Sequence, residues 1–198
     1  DVSYSFNTFS LPTSTLAFMD TRITQFLGHV DTFTQRIANL HTDHWENPSP
    51  CEGWTAKEVL DHVIDTQRDV FGKRGLELGP HPDGTPQEAW AAHTAALRSA
   101  TNDEETLLAT HDSFFGPTTL ADTLLSFYCF DLIIHAWDIH QATGNDLKLT
   151  SAELDLLETC IRSWGEVLYQ EGICKPPVEV PDDADRQTRI LALTGRRR

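Results

Sequence analysis

The sequence predicts an all-α bundle of four principal helices with short additions. Three observations carry this: apolar residues recur at three- and four-residue spacings over long stretches, capping signals stand where those stretches begin, and strand signals are sparse. The first helix covers residues 21–43, where Ile23, Phe26, Leu27, Val30, Phe33, Ile37 and Leu40 fall along one stripe. NPSPCEGW, rich in proline and glycine, is a loop. Thr55, followed three residues later by Glu58, is a capping-box signature that opens a second helix through about Leu78. Val59, His62, Val63, Val70 and Phe71 lie along its inner side. GPHPDGTP is the next loop; Thr85 caps a third helix, Pro86 suits its first position, and Gln87 to Ala100 form its body. Residues 101–117 are less regular: Thr106 to His111 form either a helical turn or a short extended piece, and FFGP is a break. From Thr118 to Thr143 the chain is apolar almost all round, the pattern of a helix buried in the middle of a bundle, with Gly144 and Asn145 as its stop. Ser151 opens a last long helix to about Glu171. CKPPVEVPDDAD is an extended tether, and RQTRILALTG a short helix that docks back. Residues 1–20 read as a flexible arm and 21–198 as one domain that includes the tether and docking helix.

The formal charge of −15, from 15 Lys and Arg against 30 Asp and Glu, repels phosphate backbones and anionic lipid headgroups. Nucleic acid and membrane surfaces are therefore not expected as partners, and the C-terminal RRR reads as a solvated tail too short to alter this. No apolar run reaches the roughly 18–20 residues of a bilayer span, and the first residues lack the basic region of a signal peptide. Four cysteines without a CxxC pair fit a reducing cytoplasm better than a disulfide framework. Cys51 is either a reactive thiol or a structural residue of its turn. A monomer and a homodimer are equally compatible with the sequence.

The chemistry concentrates in DLIIHAWDIH. Asp131 and His135 are four apart, so on a helix they share one face with side chains about 5–6 Å apart. A carboxylate in an apolar helix costs several kcal/mol unless it is paired, protonated or metal-bound, so roughly that much compensation is required. A His–Asp ion pair supplies it, and so does a divalent ion held by His62, Asp131 and His135; the pattern alone leaves both open. Two nitrogens and one oxygen suit zinc, nickel or ferrous iron, with a position left for water or substrate. Asp138, turned away from the Asp131–His135 face, is placed to orient an imidazole or cap a neighbouring helix. His140, also off that face, is a candidate for the substrate opening. Trp54, Phe130 and Trp137 are candidate pocket walls, or plain core.

Three segments, SPCEGWTAKEVLDHVI, FFGPTTLADTLLSFYCFDLIIHAWDIHQATGND and VPDDADRQTRILALTGR, together resemble the mycothiol-dependent maleylpyruvate isomerase family, within the DinB-like metal-binding four-helix bundles, and in particular its single-domain actinobacterial members. The resemblance runs from about residue 22 to the final arginines. It implies a bundle with a metal, usually zinc, held by a histidine of the second helix and an acidic-x3-His pair on a later one, here His62, Asp131 and His135. It also implies use of a low-molecular-weight thiol, mycothiol above all, for isomerisation, S-transfer or conjugation with a small electrophilic metabolite. The sequence departs from the family in two respects. The sterol-carrier-like second domain of the two-domain isomerases has no counterpart here, which puts maleylpyruvate itself in doubt as substrate. WDIH places His140 where relatives carry a small residue, so His140 and Asp138 are candidate acid–base groups, and His140 is equally read as a surface substitution. Metal-assisted hydrolysis or isomerisation without a thiol, and a non-catalytic metal-binding bundle, are the alternative readings.

Overall fold

The computed structural model describes residues 19–198. They build the all-α DinB-like bundle the sequence predicts: α1 (Thr21–Ile37), α2 (Ala56–Gly72), α3 (Pro86–Ala100), α4 (Glu104–Leu108), α5 (Leu120–Thr123), α6 (Cys129–Ala142), α7 (Ser151–Trp164) and α8 (Arg186–Leu193). The arm expected over 1–20 lies almost wholly outside the described residues. Asp20 is already the N-cap of α1, its side chain accepting from the Arg22 amide.

Local signals place most of the starts. Thr55 with Glu58 and Thr85 with Glu88 each close a capping box, and Pro86 occupies the first turn of α3. The ends differ more. Helix α1 stops at Ile37 because the chain turns inward to bury Trp45. Helix α2 stops at Gly72, after which Gly75 adopts φ +77° and the segment folds back. Arg68 holds that segment, donating to the carbonyls of Leu78 and Gly79. Helix α7 ends at Trp164, followed by a 3₁₀ turn over Gly165–Tyr169 in place of the last turns expected. Within the less regular stretch expected over 101–117, and taking in Thr118 from the expected helix, the chain forms a two-stranded antiparallel hairpin, β1 (His111–Ser113) and β2 (Gly116–Thr118), with Phe114 and Phe115 exposed at its tip.

The helix predicted over residues 118–143 forms one rod from Leu120 to Ala142 that carries a five-residue π turn at Leu124–Tyr128, between α5 and α6, while Thr118 belongs to β2. Helix α6 packs against α1, α2 and α7, and all but three of its fourteen residues are buried. Contrary to the sequence reading, the rod Leu120–Ala142 is long and apolar enough to cross a membrane by length and composition. Burial accounts for this, since 67% of its apolar window is inside the bundle.

One core polar group gives a pH dependence. His93 on α3 is fully buried, pairs through Nε2 with Gln67 Oε1 at 2.8 Å, and leaves Nδ1 without a partner among the described residues. Burial pushes its pKa from 6.5 down to about 3. Because the folded value is depressed, the contribution to stability is complete above pH 6.5 and is lost as the pH falls toward 3. Between about pH 7 and 5 the loss is on the order of 2 kcal/mol. Urea denaturation at the two pH values should show a loss greater by about that amount in the wild type than in His93→Gln, whose other histidines still titrate; equal losses would refute the assignment.

Candidate metal centre

Helix α2 supplies His62 and α6 supplies Asp131 and His135, and the two helices pack directly together. The structure brings one ligand atom from each of the three to within 4.8 Å of the others. Asp131 Oδ1 lies 3.2 Å from His135 Nε2 and 3.9 Å from His62 Nε2, and the two imidazoles meet edge to face with centroids 5.2 Å apart. The second Asp131 oxygen, Oδ2, is buried with no hydrogen-bond partner among the described residues.

Around His135 the charges are ordered. Its Nδ1 faces Asp138 Oδ2 at 2.9 Å, which fixes Nδ1–H as the donor and turns Nε2 toward Asp131 and His62. Asp138, fully buried, is gripped in turn by Arg196, Nε to Oδ1 at 2.8 Å and Nη2 to Oδ2 at 2.6 Å. Burial opposes the charged form of His135, but the flanking carboxylates of Asp131 and Asp138 outweigh it and raise its pKa well above the ordinary range. Burial likewise opposes ionisation of Asp131 and Asp138, and the neighbouring cations, His135 for the first and Arg196 for the second, hold both below the usual carboxylate range. His62 is pushed down by burial, which favours the neutral imidazole a metal requires.

The residues fit a divalent ion. Two imidazole nitrogens and a carboxylate converge, a carboxylate oxygen is orphaned, and the far nitrogen of one imidazole is held by a further carboxylate, as ligating histidines are. A second trio, Cys51, His135 and Asp138, is equally close, but the Arg196 guanidinium already sits on Asp138 and repels a cation there.

These side chains form the floor of a cavity of about 620 Å³. Phe127, Phe130 and Trp164 make a continuous aromatic wall, with Trp164 centroids 5.3 and 4.9 Å from the two phenylalanines, and Trp54 lies 4.9 Å from the His62 ring. Part of the remaining lining is Ile173–Pro176 and Gly195–Arg196, brought over the site by the docking of α8 on α7. Gly195 adopts φ +77°, and a Cβ there would meet Lys175 Cβ at 2.5 Å, so this approach requires glycine.

Trp54 and Phe130 thus line the cavity, whereas Trp137 does not: it is fully buried in the core that α6 forms with α7 and α8. His140 does not reach the opening either. Its position along α6 turns it toward α1, where Nε2 lies 3.2 Å from the Arg36 carbonyl. Asp138 meets the imidazole of His135 and does not line the cavity. The RRR cluster is not a solvated tail, because Arg196 is in the centre and Arg198 pairs with Asp146 and Asp185; Arg197 is exposed, with no ion pair among the described residues. Cys51, with Sγ 3.2 Å from Asp138 Oδ2, joins the same cluster. Nothing local in the sequence marks Arg196; the buried Asp138, which demands a cation, is the signal that leads to it.

Two uncharacterized proteins of Mycobacterium tuberculosis, one from strain CDC 1551 / Oshkosh and one from strain ATCC 25618 / H37Rv, are each 27% identical to the chain, over 84% of it and 94% of their own length. No solved structure matches. The model of the family described as "Mycothiol maleylpyruvate isomerase N-terminal domain" matches residues 28–140, more than half of the chain and a range that contains His62, Asp131, His135 and Asp138 but not Arg196. The chain belongs to that family.

Proposed function

We propose that this protein is a metal-dependent enzyme that uses a low-molecular-weight thiol, mycothiol, to attack a small electrophilic metabolite. The observation that carries the reading is the convergence of His62, Asp131 and His135 on the lining of an open cavity of about 620 Å³, within the range of small-molecule sites. These three residues would hold the ion, zinc by the nature of the donors, with nickel or ferrous iron also accommodated. When bound there, a divalent ion favours thiolate over thiol near neutral pH.

The chain's own groups do the rest. Asp138, fixed by Arg196, keeps the His135 ring in the tautomer that presents Nε2. The aromatic wall excludes water and orients the electrophile. The thiol proton leaves to solvent through the mouth of the cavity, the sulfur forms a bond to the electrophilic carbon, and in a transfer the leaving group departs with its electron pair. In an isomerisation the same C–S bond forms and is broken again after rotation. The first is a substitution and the second an addition followed by elimination, and neither needs an oxidant.

The test begins with metal analysis of protein expressed with added zinc. Wild type should carry one equivalent, and His62→Ala and His135→Ala much less than one; stoichiometric metal in either variant sinks the assignment. Titration of mycothiol should then raise thiolate absorbance in the zinc-loaded wild type alone.

A further inference from the structure

The His135 imidazole stands between two carboxylates, and the ring alone does not choose between them. Its Nε2 faces Asp131 Oδ1 at 3.2 Å, and its Nδ1 faces Asp138 Oδ2 at 2.9 Å. Either carboxylate can share a metal with the ring while the other holds the far nitrogen, the usual division of roles around a ligating histidine. On the first side the third donor is His62. On the second it is Cys51, whose Sγ lies 3.9 Å from Nδ1 and 3.2 Å from Asp138 Oδ2. Thiolate, imidazole and carboxylate are all zinc ligands, so donor type does not rule the second side out.

Arg196 separates the two. Its guanidinium bonds both oxygens of Asp138, at 2.8 and 2.6 Å, and its Nη2 stands 3.8 Å from Cys51 Sγ. It takes the place of a cation among those donors, and a second cation beside it would be repelled where little water screens the charges. Asp131, by contrast, keeps Oδ2 without a partner among the described residues. We infer that Arg196 is a positioning residue of the metal centre: it stands in for the ion at a second site, Cys51–His135–Asp138, and so confines the metal to the Nε2 side of His135. Cys51 then remains a hydrogen-bond donor to Asp138, and no thiol of the chain competes with a ligand arriving through the cavity. The inference rests on the metal part of the proposed function and not on its thiol chemistry. Without the guanidinium, an ion can bind at the Nδ1 side. The Cys51 thiol proton and the Nδ1 proton leave to solvent, and Asp131 holds Nε2–H in the role Asp138 has now.

Cobalt(II) is the probe, because a cysteine ligand then shows as a sulfur-to-cobalt charge-transfer band in the near ultraviolet. Wild type should bind one equivalent without that band, and Cys51→Ala should leave its spectrum unchanged. His62→Ala should weaken cobalt binding at least about tenfold. In Arg196→Ala the band should appear, and adding His62→Ala should then cost far less than that. Adding Cys51→Ala to both should remove the band and most of the remaining affinity. Arg196→Gln, which offers Asp138 an N–H without the charge, gives the same reading should Arg196→Ala fail to fold. Arg196→Lys, which keeps the charge, should suppress the band. A Cys51-dependent band in the wild type, no band in Arg196→Gln, or a band as strong in Arg196→Lys as in Arg196→Gln would overturn the inference. Failure in the variants, with wild-type cobalt binding still lost in His62→Ala, leaves the proposed function standing. A wild type that binds no metal defeats that function and the inference with it, so the two failures are distinct.

Discussion

Arg196→Ala should cost about 3–5 kcal/mol of folding stability, although it lies in a cluster of three arginines at the end of the sequence. The reason is the carboxylate it leaves behind. Asp138 has no exposed surface, and Arg196 satisfies both of its oxygens, with His135 and Cys51 as the remaining partners. Removing the guanidinium strands a charge in the core, and breaking a buried pair from one side is far costlier than never having made it. Two controls separate this from a general effect of lost charge. Arg197→Ala, at an exposed neighbour, should stay within roughly 0.5 kcal/mol of wild type. Adding Asp138→Asn to Arg196→Ala should recover much of the loss, because the stranded charge is then absent. Urea denaturation of the four proteins reads all of this, and a loss below about 1 kcal/mol in the single variant would mean that Asp138 is not held in the way described.

Zinc should stabilise the wild type strongly. A ligand that binds the folded chain alone contributes about 4 kcal/mol at a thousandfold excess over its Kd, which for a chain of this size raises Tm by about 10 °C. The gain is expected because the donor atoms already converge and the bundle pays little to assemble them, while the unfolded chain has His62 and Asp131 sixty-nine residues apart. Asp131→Leu and His62→Ala should each flatten the zinc response. They need not lower the stability of the metal-free protein equally: Asp131→Leu removes a buried orphan oxygen along with the charge. Thermal denaturation with zinc and with a chelator measures the difference. No shift in the wild type would count directly against the metal centre.

Legibility from sequence followed the range of the interactions. Thr55 and Thr85 could be read as caps because their partners Glu58 and Glu88 are three residues away. Asp131 and His135 could be read as a pair because one turn of helix relates them. Their third partner, His62, emerged only as the inward histidine of another helix, and the packing of α2 on α6 supplies the meeting. Arg196 was illegible: its partner lies 58 residues earlier, and three consecutive arginines look like a polar tail until the docking of α8 carries one of them inward. Trp137 and His140 failed for a related reason. Helical spacing tells which side of α6 a residue takes, but not whether the neighbour on that side is an open cavity, the α7 core or the Arg36 carbonyl. The π turn had no marker, since LLSFY differs little from the apolar residues around it.

That turn has a consequence for how the chain tolerates change in length. A π turn is an α-helix with one residue too many, so deleting a single residue from Leu124–Tyr128 would restore a regular helix with its two halves nearly in phase, whereas a deletion in the regular part of the rod would rotate one half against the other by about 100°. One half is anchored by Arg22 on Asp122, and the other by the ligand face of Asp131 and His135. Both anchors depend on the phase between the two halves, and the π turn takes up its surplus residue without disturbing that phase. In homologues, a single-residue gap at this place should therefore be found with both anchors retained, and a gap elsewhere in the rod should travel with the loss of one of them.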